Sequence, residues 1–288
     1  MRKPEQDLRP DPTRAVDDQS HQVNRAQLLA WAGAATVVAA MPRVTHAAGA
    51  PGRLEFPFYP HVQGGYTTED IRDILNAVVT THYLAVTGGT TSLANAAALG
   101  LTDWQLSMQQ AAVAREQYHI DFLTSLSAAP LATSFTLPPG ASSKRVVAFS
   151  AAEGALTVQV GAHMTAAREF AELGQPTLAK WMYQMGTQEA EQRAIYKTLL
   201  AIDGVPTAIP PNNKAFATDL FLYTRDVIGM YKALGLIGGS APPVSYPGRD
   251  AALSLAGPMA SAILQKRPND AASTITVTSP ASLTGERP

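Results

Sequence analysis

The sequence predicts an all-α protein: a four-helix bundle with a long crossover between its second and third helices and a small helical C-terminal extension. Three observations predict it. Between residues 67 and 205, apolar residues recur at three- and four-residue spacing in four separate stretches, the period of one helix face. The composition is alanine-rich and only 7% aromatic, which favours close-packed helices over sheet. No stretch alternates apolar and polar residues with the period of a strand.

The elements follow in order. Thr67 reads as the N-cap of a first helix, with Asp70 three residues on as in a capping box. Its apolar row is Ile71, Ile74, Leu75, Val78 and Val86, with His82 in line, and Gly88-Gly89 reads as its end. A second helix opens on Thr102 and ends by Leu126, with Leu106, Val113, Ile120 and Leu123 on one side. Pro130, Pro138, Pro139 and Gly140 mark a connection long enough to cross the bundle from end to end. The third helix runs from about Ser143 to Leu173 with the row Phe149, Leu156, Val160, Met164, Ala167 and Phe170. The fourth opens at Gln175-Pro176, where proline suits a first turn, and stops at Asp203-Gly204. Its row is Leu178, Trp181, Met182, Met185, Ile195 and Leu199. Residues 206–268 form the C-terminal extension, with helices expected over Lys214–Leu234 and Asp250–Leu264. Residues 269–288 are polar, Ser/Thr-rich and expected to form a flexible tail.

The N-terminus reads as an address. Residues 1–25 mix five positive side chains with five negative ones, and Ala26–Met41 then carries no charge. Sixteen helical residues reach about 24 Å, short of the ~30 Å hydrocarbon core. With Thr45-His46-Ala47 behind it, the run reads as a signal peptide over residues 1–47. Asn24-Arg25-Ala26-Gln27-Leu28-Leu29 resembles a degenerate twin-arginine motif, with Asn24 where the first arginine usually stands. Residues 48–66 form an irregular leader. The expected location is periplasmic or extracellular, with no membrane span left after cleavage.

Net charge is −1 and 16% of residues are charged. No basic excess is available to displace counterions from a nucleic acid. The chain has no cysteine, so any metal must use carboxylate, imidazole or amide ligands. Such residues lie on the apolar face of each main helix: His82; Glu116 with His119; Glu153; Glu189 with Gln192. An i, i+3 pair stacks on one face, so both side chains can reach one ion. Three buried carboxylates repel each other. Glu116, Glu153 and Glu189 therefore require a compensating positive partner: a divalent ion, protonated histidine or shared protons. Taken singly the residues say less. His82 alone reads as a hydrogen-bonded core histidine and His163 as a packing or rim residue. Glu169, Glu172, Glu191 and Asp121 read as solvated.

Four segments carry a family resemblance: Thr81–Thr87 around His82, Arg115-Glu116-Gln117-Tyr118-His119, Ala166–Gly174, and Glu189-Ala190-Glu191-Gln192-Arg193. With the Pro-rich connection, they resemble bacterial exported ferritin-like domain proteins, relatives of the desiccation-related proteins, over residues 67–205. The resemblance implies a ferritin-like bundle and a di-iron or di-manganese site. Glu116, His119, Glu153 and Glu189 match its ligand positions. His82 stands where glutamate is usual and Gln192 where histidine is usual. Imidazole does not bridge two ions as carboxylate does, and an amide is a poor ligand for iron. Two readings follow. One is an exported protein binding iron or manganese through a reduced site of Glu116, His119, Glu153, Glu189 and His82. The other is a metal-free structural or stress-protective module. A carrier of apolar ligands is a more distant third, and a homo-oligomer is left open.

Overall fold

The structure is a computed structural model that describes residues 67, 69–205, 217 and 219–268. The signal peptide expected over residues 1–47, the leader expected over 48–66 and the tail expected over 269–288 lie outside the described residues.

The described chain is all-α. Its order is α1 (Ile71–Ala94), α2 (Asp103–Ser125), β1 (Ser134–Phe135), α3 (Arg145–Glu172), α4 (Pro176–Ile202), α5 (Asp226–Ala233), β2 (Val244–Ser245), α6 (Arg249–Ala256) and α7 (Pro258–Ala262). The only strands among the described residues are β1 and β2, paired antiparallel with Ser134 opposite Ser245. None of these helices is long and apolar enough to cross a membrane.

Local chemistry sets most boundaries. Thr102 caps α2, accepting from the Gln105 backbone N–H while the Gln105 side chain accepts from that of Thr102. The start of α1 differs from expectation. Its cap is Asp70, whose carboxylate accepts from Asp73 N at 2.8 Å. Thr67 instead turns away to Glu169 Oε1, at 2.5 Å. Nor does Gly88-Gly89 end α1. A Cβ on Gly89 would stand 2.6 Å from Val113 Cγ2, so this glycine lets α1 close on α2 rather than breaking the helix.

α1 packs on α2, α3 packs on α4, and α1 also meets α3. The connection from 126 to 144 lies against α1: Ala129 N donates to Asn76 Oδ1 at 2.7 Å and Leu131 N to Thr80 Oγ1 at 2.8 Å. Two apolar clusters fill the interior. One gathers Ile74, Val78, Ile120, Leu123, Phe170, Trp181 and Met182; the other gathers Leu99, Met108, Phe149, Leu156, Tyr196 and Leu199. Along α3 and α4 they are separated by a polar step, Gln159 with His163 and Glu189 with Gln192, all buried.

The third helix departs most from its expected face. Met164 is 41% exposed, and its neighbour His163 is buried. Glu169, read as solvated, is fully buried. α3 is buried around most of its circumference, so no single stripe identifies its inner face. The helix expected over Lys214–Leu234 begins only at Asp226 within the described residues. The backbone N–H groups of Thr224 and Arg225 bond Glu169 and Glu69, at 2.9 and 3.0 Å, instead of a preceding helical turn. The C-terminal helical region is broken at Gly257, whose φ of 55° and ψ of −134° separate α6 from α7. Both pieces lie on α2, where Asp121 pairs with Arg249 at 2.9 Å and Tyr118 donates to Ala260 O at 2.8 Å.

Candidate metal centre

α1 brings His82 to the polar step, and α2 brings Glu116 and His119 from one face. α4 brings Glu189. Each offers a ligand-type atom, and these atoms all lie within 4.8 Å of one another. Four of the five sequence-selected residues therefore meet. Glu153 does not join them. It lies half-buried, pairing with Arg193 at 2.9 Å and accepting from Thr157 Oγ1 at 3.2 Å. It sits more than one helical turn before the place where α3 reaches the centre. That place is occupied by Gln159 and His163, the members sequence reasoning missed on this helix. Gly186 on α4 makes the approach close, since a Cβ there would stand 3.0 Å from His163 Cβ.

The other missed residue is Arg115. Its Nη2 donates to Glu116 Oε1 at 2.8 Å and to Glu189 Oε2 at 2.9 Å. Its Nη1 donates to Gln192 Oε1 and Gln188 O, both at 3.3 Å. The positive partner that the carboxylates require is thus partly a guanidinium. An arginine beside Glu116, directly after Ala114, was the available signal.

The two carboxylates differ. Glu116 is buried, which alone raises its pKa. The His82 hydrogen bond and Arg115 outweigh burial and hold it well below the ordinary carboxylate range. Glu189 is pushed well above that range, first by burial and then by the charge of Glu116, against the pull of Arg115. The pair therefore favours one negative charge, facing one guanidinium.

Hydrogen bonds orient two of the histidine rings. His82 Nδ1 lies 2.6 Å from Glu116 Oε2 and donates to that ionised oxygen. Gln159 Nε2 donates to the same oxygen at 3.2 Å and lies 2.8 Å from the ring nitrogen. This tautomer leaves His82 Nε2 as a lone pair, fixed in orientation by its carboxylate partner. His163 Nδ1 donates to Gln159 O at 2.8 Å, leaving its Nε2 likewise. Burial pushes the pKa of His119 down to about 4 and that of His163 down to about 3. The His82 ring centroid is 4.9 Å from that of His119 and 5.2 Å from that of His163.

Five buried atoms here have no hydrogen-bond partner: the donor Arg115 Nε, and four atoms of ligand type, His82 Nε2, His119 Nδ1, His163 Nε2 and Glu189 Oε1. His119 Nδ1 is 3.1 Å from Glu189 Oε1, but without the direction of a hydrogen bond. Buried polar atoms are ordinarily satisfied, so four of ligand type in one place need a reason. Imidazole nitrogens and a carboxylate oxygen form a donor set that suits a borderline divalent cation.

No family model matches this chain, and neither a curated protein nor a solved structure matches it.

Proposed function

We propose that this protein is an exported ferritin-like four-helix-bundle protein that holds one iron or manganese ion. His82, His119 and Glu189 hold the ion and Glu116 orients His82. The observation that carries the reading is the set of unpartnered buried atoms, with a ligand-type atom from each of the four residues inside 4.8 Å. The bundle reading is supported by four helices of 24, 23, 28 and 27 residues. Links after α1 and α3 are short, and a long link runs between the two pairs. Each of the four helices sends polar side chains to one centre. The export reading is supported by the uncharged run Ala26–Met41 and the small residues after it.

The bridging place between Glu116 and Glu189 is taken by the Arg115 guanidinium. A second ion there would meet that fixed charge at close range, so the site suits one ion rather than two. Bound, such an ion supplies a Lewis-acidic and redox-capable centre. The chain's own part is to keep His119 neutral by burial and to aim His82 Nε2 through the Glu116 bond.

Arg115 also favours the second reading, a metal-free structural or stress-protective module. Its charge already faces the single negative charge of the carboxylate pair. Elemental analysis of the full chain, loaded anaerobically with Fe(II) or Mn(II), separates the two. The metal reading expects close to one ion per chain, lost in His82→Ala and Glu189→Ala and kept in Glu153→Ala. Content well under one ion per chain leaves the metal-free module.

A further inference from the structure

The centre is closed on three sides and open on one. His82 and Glu189 are fully buried, whereas the side chains of Arg115 and His119 are each 15% exposed. Both face a cleft of about 550 Å³ between α2, α4 and the chain after α7. That volume lies in the range of small-molecule sites, about 300–1,000 Å³.

The walls are of two kinds. Phe122 and Met185 from the helices and Ile263 from the C-terminal segment supply an apolar surface. Lys266 and Arg267 stand exposed at the rim, and no acidic side chain lines the cleft among the described residues. Lys266 Nζ sits 5.1 Å over the Tyr118 ring, while the Tyr118 hydroxyl anchors to Ala260 O. The segment carrying both rim cations is therefore tied to α2 beside His119. Neither cation has an acidic partner among the described residues. Arg115, deeper in, is already engaged by two carboxylates. The charge available to a guest is that of Lys266 and Arg267.

We propose that this cleft binds a small carboxylic acid with an apolar body, its carboxylate at Lys266 and Arg267 and its body on Phe122, Met185 and Ile263. A low-dielectric wall beside two cations that have no acidic partner among the described residues focuses their field on the mouth. The apolar floor rewards a hydrocarbon or aromatic body over a bare anion. Such a guest stands directly over His119, at the exposed edge of the centre. Every group involved belongs to the chain, so binding does not depend on a metal being held.

The test uses the full chain dialysed against a chelator, titrated calorimetrically at low salt with octanoate and with 2-naphthoate. The neutral amides of the two acids serve as controls. The acids bind at least tenfold tighter than their amides, and rising salt narrows the gap. Lys266→Ala with Arg267→Ala removes at least tenfold from the acids and leaves the amides unchanged. Ile263→Ser weakens acid and amide alike. Equal binding of acid and amide, or acid affinity unchanged in the double variant with its unfolding midpoint intact, overturns the proposal. Because the protein is metal-free throughout, failure here leaves the metal reading standing. Absence of metal in the loading experiment likewise leaves this cleft intact.

Discussion

Two regions of the molecule bury a pair of carboxylates, and they treat them differently. At the centre, Glu116 and Glu189 share the Arg115 guanidinium. Near the chain's entry to α1, Glu69 and Glu169 are both buried, and most of their partners are backbone N–H and hydroxyl groups. Thr67 Oγ1 donates to Glu169 Oε1, and both Thr224 N and Thr224 Oγ1 donate to Oε2. Arg225 N donates to Glu69 Oε1 at 3.0 Å. The second pair is a latch. It fastens the segment before α1 and the segment before α5 onto α3; both Glu169 oxygens are occupied by the fold, and of the pair's acceptors Glu69 Oε2 alone is left without a partner. At the centre, imidazole and carboxylate atoms stay unclaimed. The same residue type in the same kind of burial is structural in one place and ligand-capable in the other. The difference is how many donors the surrounding backbone provides.

The largest effect that would break this contrast comes from Arg115→Ala. It strips the central pair of its fixed cation and should destabilise the fold by about 3–5 kcal/mol, as removing one partner of a buried ion pair does. Denaturant unfolding measures it. If the centre takes a metal, added Mn(II) should restore part of the loss, and in a metal-free core it should restore none.

Glu169→Ala tests the latch. It leaves the Thr224 N–H and two hydroxyls without their acceptor, and should cost about 2–4 kcal/mol at one to a few kcal/mol per unsatisfied group. Central metal content should not change.

The latch also predicts a pH dependence. Burial, then the charge of Glu169, raises Glu69 from 4.5 to about 7, against the Arg225 contacts. The folded state therefore holds a proton that the unfolded state releases. Stability is fullest below pH 4.5, falls as pH rises to about 7, and levels off above. The loss is on the order of 2–3 kcal/mol. Unfolding midpoints across that range should show the slope, and Glu69→Gln should flatten it.

Gly89→Ala should cost about 1–3 kcal/mol by overpacking α1 against Val113, seen as a lowered thermal midpoint with the central residues untouched. The smallest effect belongs to Glu153→Gln. Its half-exposed pair with Arg193 should contribute no more than about 1 kcal/mol, with no change in metal content. A large loss of metal would move Glu153 into the centre after all.

The all-α class and the limits of α2, α3 and α4 were legible because their signals are local. A capping threonine, a first-turn proline and apolar spacing act within a few residues of where they stand. His82, Glu116, His119 and Glu189 were legible because each sits on a row with a clear apolar face. α3 was the exception. It is covered on most sides, so its apolar pattern has no preferred direction and does not single out Gln159 and His163, which stand at the centre, over Glu153, which pairs with Arg193. Glu169 looked solvated because its partners, Thr67 and Thr224, lie 102 and 55 residues away.

The sequence by itself determined that helices form and that His82, Glu116, His119 and Glu189 lie on inner faces, because period and spacing are properties of a single helix. Only the tertiary structure decided which of those residues meet and that Arg115 stands between the carboxylates. It alone decided which buried acids are already satisfied. Those facts depend on how one helix is rotated against another, and on distant backbone N–H groups that no local pattern records.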